Sequence, residues 1–309
     1  MQSIFKNEND LKEYLFNILK MALSENNEGY LVDNNYVFKW ACERGLLEFV
    51  RILLVNEGID PSAENNFAIR CASQNGYVEV VKLLLADGRV DPSADDNFAI
   101  RHASANGHVE VAKLLLADKR VDPSAYDNYA IRHASANGHI EVVKLLLADG
   151  RVDPSADDNF AIVFASRKGH DEVVKLLLED KRVDPSVRNS NAISSASAKG
   201  HTKVVKLLLE DGRVDPSAYD NHAIKWASEK GHDEVVKLLL ADKRVDPSAG
   251  INFSIRHASA NGHVEVVKLL LADKRVDPFA EDNSAIRYAS KNGHIEIVKL
   301  LALELRNIQ

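Results

Sequence analysis

Residues 90–120 read VDPSADDNFAIRHASANGHVEVAKLLLADKR. Asn97 has the chemistry of a helix N-cap and Gly107 suits the residue just past a helix end, so a first helix is predicted over Phe98–Asn106. A second is predicted over His108–Ala117, where Val111, Ala112, Leu115 and Leu116 recur at helical spacing. Two helices separated by one glycine must run antiparallel. Pro92 fixes its own φ and holds Asp91 extended, so the chain leaves each second helix as an extended finger. That finger turns back through Asp95-Asp96-Asn97 into the next unit.

The pattern repeats. All eight prolines (Pro61, Pro92, Pro123, Pro154, Pro185, Pro216, Pro247, Pro278) follow an aspartate and are spaced by 31 residues. Nine of the fifteen glycines, from Gly45 to Gly293, keep the same spacing without slippage. A fixed period of this size means stacked units, none of which can bury its apolar face alone. The array covers residues 29–309 in about nine units. Residues 1–28 stand outside it, and Asp10–Glu25 is predicted to be one amphipathic helix capping the first unit.

Composition excludes several classes. The chain has 309 residues, 45% of them hydrophobic and 28% charged, with a formal net charge of −7. That apolar fraction argues against wholesale disorder, and the acidic balance against nucleic-acid or membrane binding. No run approaches the roughly 20 apolar residues of a membrane span. The first 20 residues carry acids inside their apolar stretch, unlike a secretory signal. Cys42 and Cys71 are too few for a disulfide framework, which points to a reducing, cytoplasmic setting.

With the period in hand, NGHVEVVKLLLADG resembles the second-helix signature of the ankyrin-repeat family, and FAIRHAS occupies the place of its T-P-L-H-x-A-A motif. The match recurs in nine units and covers about nine-tenths of the chain. It implies an all-α repeat solenoid, a right-handed superhelix of helix-turn-helix units with short fingers. Three features depart from the family. The period is 31 rather than 33, the missing residues falling in the finger. The motif's histidine is mostly arginine (Arg70, Arg101, Arg132, Arg256, Arg287) or lysine (Lys39, Lys225). The usual loop asparagine gives way to Asp-Pro-Ser. This style resembles arrays of amoebae and of the giant DNA viruses that infect them. Viral arrays of that kind sometimes carry an F-box-like segment, for which Asp10–Glu25 is too short.

Recurrence within the chain separates scaffold from face. Ile100, Ala103 and Ser104 and their equivalents read as core, since small residues let neighbouring helices approach closely. The opposite stripe runs through positions 98, 102 and 105. Its most varied row is Trp40, Cys71, His102, His133, Phe164, Ser195, Trp226, His257 and Tyr288, rich in the side chains that make hot spots. The family resemblance places this row on the concave groove; packing between neighbouring repeats is the plain alternative. Tyr126, Tyr219 and Ile251 interrupt otherwise acidic or amide fingertips and form a second candidate surface. Arginines of the Arg101 type are expected to pair with the acidic tips as scaffold salt bridges. Glu110–Lys113, Glu141–Lys144 and Glu172–Lys175 read as ion pairs on a solvated outer helix. The Gly-His histidines, His108 through His294, recur too uniformly to be a site, and the resemblance implies that they hydrogen-bond loops.

Catalysis finds no foothold. Equivalent residues of adjacent units lie roughly 8–10 Å apart by helix-packing distance, so His102 and His133 cannot share a zinc ion. The chain contains no H-E-x-x-H, Walker loop, G-x-S-x-G or C-x-x-C. The reading is therefore a non-enzymatic module, without cofactor or metal, that binds a protein partner through groove and fingertips. Alternatives are a substrate-recruiting arm of a ubiquitin ligase, or a structural or self-assembling array. It is expected to be a monomer, with self-association through an uncapped C-terminus open. Residues 184–203 and their neighbours depart most from their siblings. They gather Arg167, Lys168, Arg188 and Lys199 into a basic patch between Phe164 and Trp226, suited to an acidic, partly apolar segment. Neutral drift of one copy explains the same substitutions.

Overall fold

The computed structural model describes residues 34–56 and 58–308, together with Asn17; the side chains of residues 188–190 and 307–308 fall outside that set. Apart from Asn17, the predicted cap over Asp10–Glu25, and the boundary at residue 28, lie outside the described residues. Among the described residues there are eighteen helices and no strand. The first helices of the units are α1 (Asn34–Glu43), α3 (Ala63–Gln74), α5 (Ala94–Ala105), α7 (Ala125–Ala136), α9 (Ala156–Lys168), α11 (Val187–Ala198), α13 (Ala218–Lys230), α15 (Ala249–Ala260) and α17 (Ala280–Lys291). Each is followed by its second helix: α2 (Leu47–Leu54), α4 (Val78–Ala86), α6 (Val109–Ala117), α8 (Ile140–Ala148), α10 (Asp171–Glu179), α12 (Thr202–Asp211), α14 (Asp233–Ala241), α16 (Val264–Leu271) and α18 (Ile295–Ile308).

The chain forms two compact units. Of the described residues, one comprises those up to 134 and 141–153, the other 135–140 and those from 154 onward. Within each, a first helix packs on its own second helix and on the first helix of the next repeat. The core is one set of side chains copied repeat by repeat. Ala99, Ile100, Ala103, Val111, Ala112 and Leu115 have no exposed surface, and Ala192, Ile193, Ala196, Val205 and Leu208 match them in the second unit.

The turn between paired helices explains the recurring glycine. Gly107 has φ of 79°, the His108 N–H donates to Ala103 O at 2.9 Å, and the Gly107 N–H donates to Ser104 O at 3.2 Å. These are the two bonds of a Schellman C-cap. Space is restrictive as well as φ. A Cβ on Gly76 would lie 2.5 Å from Nδ1 of His108 in the following repeat. That imidazole reaches back through Nε2 to Gln74 O at 2.8 Å, and His170, His201, His232, His263 and His294 make the equivalent bond.

The finger differs from the extended segment expected. Asp122 Oδ1 accepts hydrogen bonds from the Ser124 N–H at 2.9 Å and from its hydroxyl at 2.6 Å, so Asp-Pro-Ser closes a side-chain turn. Tyr126, Asp127 and Asn128 then follow with φ of 56° each, a short left-handed turn before the right-handed helix resumes. The same triplet conformation recurs at Glu64–Asn66, Asp95–Asn97, Asp157–Asn159, Tyr219–Asn221, Gly250–Asn252 and Glu281–Asn283. Asn97 is therefore not an N-cap. Its Oδ1 accepts from the Asp122 N–H of the next finger at 2.8 Å, and Asn66, Asn128, Asn221 and Asn252 do likewise. Asparagine ends the triplet because it tolerates left-handed φ and carries an acceptor of the right length.

A second device ties repeats together. Asp118 receives the Arg120 side chain through Nε at 3.0 Å and Nη2 at 2.6 Å, while Arg120 Nη1 donates to Val90 O at 2.8 Å in the preceding finger. Arg89, Arg151, Arg213, Arg244 and Arg275 repeat this reach. In each case the guanidinium beside the aspartate holds its carboxyl below the usual range.

Candidate functional site

Apart from Cys71, Ser195 and the exposed Tyr288, the varied row on the first helices consists of half-buried rings. In the first unit Phe98 stacks on His102 at 3.8 Å between centroids, His102 meets Tyr129 at 5.6 Å, and Tyr129 stacks on His133 at 3.8 Å. Helical spacing of i to i+4 brings each pair together on one face. Trp40 belongs to this unit, with the Arg44 guanidinium 4.7 Å from its ring. Burial, aided by Arg101 and His133, pushes the His102 imidazole below its ordinary pKa.

In the second unit Phe160 stacks on Phe164 at 3.9 Å and Phe253 on His257 at 3.6 Å, with Trp226 edge-on to His222 and Phe253 at 5.7 and 6.4 Å. His257 is also pushed down, chiefly by burial. Between these ledges the row breaks. α11 carries Asn191 and Ser195, whose hydroxyl donates to Asn191 Oδ1 at 2.9 Å. A small polar step therefore separates Phe164 from Trp226. Arg167 lies 5.8 Å from the Phe164 ring and Lys230 5.9 Å from the Trp226 ring. Arg167, Lys168, Lys199 and Lys230 are all exposed. Tyr288, 44% exposed, ends the row on α17. Arg188 lies on α11, its side chain outside the described residues.

The arginines at the motif's histidine position do more than pair with tips. Arg101 donates through Nε to Asp96 O at 2.8 Å and through Nη2 to Asp95 O at 2.9 Å. Arg70 and Arg287 grip the carbonyls of their own left-handed turns in the same way. A guanidinium fork can serve two such carbonyls at once, which accounts for arginine where the family motif has histidine. The expected ladder of Arg–Asp pairs is only partial. Arg70 reaches Asp95 of the next repeat at 2.8 Å, and Lys39–Glu64 and Arg256–Glu281 pair across the same step. Arg101 meets the Tyr126 ring at 4.7 Å instead. Val163 takes the arginine position in the repeat before the Arg188 tip.

The tips themselves are open. Tyr126, Tyr219 and Ile251 are 63%, 52% and 61% exposed. Lys113–Glu110 and Lys144–Glu141 form the outer-helix pairs expected, whereas Glu172 and Lys175 form none among the described residues. Two groups escape a reading of the sequence alone. Lys230 extends the basic patch by one repeat, and the Asp-x-Arg and asparagine bonds tie neighbours together. The one signal that marks them is their recurrence at the 31-residue period.

Chemistry remains sparse at these positions. No group of three or more His, Cys, Asp or Glu among the described residues could hold a metal ion. Burial raises the thiols of Cys42 and Cys71, so neither is an activated nucleophile. No helix of the described residues is long and apolar enough to cross a membrane.

A comparison with curated proteins gives no match. The family described as ankyrin repeats, in copies of three, matches residues 6–96, 99–189, 162–251 and 247–308. With that match across most of its length and one helix-turn-helix core copied at every period, the chain belongs to the ankyrin-repeat family.

Proposed function

We propose that this protein is a non-enzymatic binding module whose second unit docks an acidic, partly apolar segment of a protein partner across residues 160–230. Ankyrin repeats are generally protein-interaction modules. The observation that carries the finer reading is the broken ring row. Phe164 and Trp226 stand as ledges on either side of Asn191 and Ser195, bordered by exposed cations in a chain of net charge −7. Buried aromatic anchors contribute most of the affinity at such surfaces, and rim charges chiefly tune association rate. A repeat scaffold held by copied bonds loses little entropy on docking. The unpaired Cys42 and Cys71 support a reducing, cytoplasmic setting, and the 31-residue Asp-Pro-Ser style supports a place among amoebal and giant-virus arrays.

Capture from cell lysate tests this site. Proteins retained by the unaltered chain should be lost by Phe164→Ala/Trp226→Ala and kept by the outer-helix control Lys144→Ala. Unchanged capture by the folded double variant would move the site to the tips around Tyr126 and Ile251. Self-association is a second reading, favoured by Ile295, Leu303 and Leu305 at 67%, 54% and 42% exposure on α18. A concentration-dependent mass in sedimentation would support it, and Leu303→Glu should then abolish the dependence.

A further inference from the structure

Three consecutive repeats of the second unit place lysine at the end of the first helix: Lys168, Lys199 and Lys230. At Asn106, Asn261 and Asn292 the same position holds an amide, which donates to the carbonyl of Gln74, Glu229 and Ala260 in the preceding repeat at 2.8, 3.0 and 2.7 Å. The three lysines make no such bond among the described residues. Lys168 and Lys199 pair with no carboxylate there either, and the one carboxylate that Lys230 meets there is Glu229, at 3.0 Å. A scaffold bond has thus been replaced, three times running, by an exposed cation. Each lysine stands four residues after a member of the ring row: Phe164, Ser195 and Trp226.

Equivalent positions on packed helices lie about 8–10 Å apart. A polyproline-II segment has three residues per turn and rises about 3.1 Å per residue. It therefore presents every third side chain on one face at about 9.3 Å. A β-strand repeats one face at about 6.6 Å and misses this spacing. A helix returns to one face at seven residues, about 10.5 Å, but its body is about 10–12 Å across. Flat ring ledges are what polyproline-II segments dock against. Two turns, about 19 Å, also match the two repeat steps between Phe164 and Trp226.

Resting on the groove reading above, we infer that the second unit recognises a polyproline-II segment with a carboxylate at every third residue, each carboxylate meeting one of Lys168, Lys199 and Lys230. Apolar residues six apart then lie on Phe164 and Trp226. Arg167 adds charge beside the first of these contacts.

Fluorescence anisotropy with the full chain tests the register. Two labelled twelve-residue peptides of identical composition, four Glu, six Pro and two Leu, differ only in order. One carries Glu at every third position and the other carries the four Glu as a block. A third, alanine-rich peptide carries Glu at every seventh position. The period-three peptide should bind at least tenfold more tightly than either. That advantage should vanish in Lys168→Gln/Lys199→Gln/Lys230→Gln and persist in Lys144→Gln. These are exposed positions, and circular dichroism checks that the variants stay folded. Equal binding of the two proline peptides, a preference for the seventh-residue peptide, or no binding would each overturn the inference. Equal binding that still falls tenfold in Phe164→Ala/Trp226→Ala would overturn the register while leaving the groove reading standing.

Discussion

At Ile251 a β-branched side chain sits at φ of 57° with 61% of its surface exposed. Left-handed φ costs a non-glycine residue about 1–2 kcal/mol, and β-branching makes it worse. Little packing offsets that strain at an exposed tip. Asparagine tolerates this conformation better, so Ile251→Asn should stabilise the protein by about 1 kcal/mol, an increment that a thermal melt can read. An unchanged or lowered melting point would show that the isoleucine packs usefully. A second residue-scale expectation concerns the buried serines. The Ser104 hydroxyl is fully buried and has no hydrogen-bond partner among the described residues, like those of Ser73, Ser166, Ser197 and Ser228. Ser104→Ala should be neutral or stabilising by up to about 1 kcal/mol. The aspartates beside Arg89, Arg120, Arg151, Arg213, Arg244 and Arg275 set the acid limit. Their folded pKa values lie below the unfolded value of about 3.9. Their stabilisation is thus fully present above about pH 4 and is lost as pH falls through the lower folded values. Melting temperature should therefore fall as pH drops below about 4. Arg120→Gln/Arg151→Gln should flatten that drop.

The left-handed triplet is the element by which each finger turns back: the chain reverses through three positive φ values. Asn128, only 9% exposed, closes this element by accepting from the Asp153 N–H at 2.8 Å. Asn128→Ala leaves that N–H without its acceptor and should cost about 1–3 kcal/mol. Asn128→Asp keeps an acceptor and should cost less. The helices are legible in the sequence to within a few residues, because Ile100, Val111 and Leu115 mark the core at helical spacing and Gly107 marks the turn. The finger is not. Asp95-Asp96-Asn97 announces a turn, but its hand depends on how many residues must be accommodated between two fixed ends. For the same reason Asn97 reads as a cap when it is not one: its partner lies in the next repeat, 25 residues on. Of the candidate site, Phe164 and Trp226 are visible as departures from the repeat. The step at Asn191–Ser195 and the part played by Lys230 need the packing of successive first helices.

Among the described residues of each unit, the recurring inter-repeat bonds leave one repeat at a fixed position and arrive at a fixed position in its neighbour. Removal of residues 233–263, one whole period, joins His232 to Val264 and brings Arg275 to Val214, which now serves Arg244. That shortened chain should fold and melt cooperatively. Removal of residues 233–247 alone joins mismatched elements and should lose helical signal. Failure of the whole-period deletion to fold would contradict a scaffold built from nearest-neighbour bonds.

The arginine that reaches 30 residues back, as from Arg120 to Val90, also dictates how the chain yields to load. Among the described residues no bond of this network spans more than one repeat step, so tension applied through the ends should be carried by one junction after another. Each junction that fails releases a single period of 31 residues, about 110 Å of extended chain at about 3.6 Å per residue. A tethered molecule should therefore lengthen as a staircase of equal treads, and relaxation should restore them one at a time. Such a chain behaves as an extensible spring with a built-in unit of length.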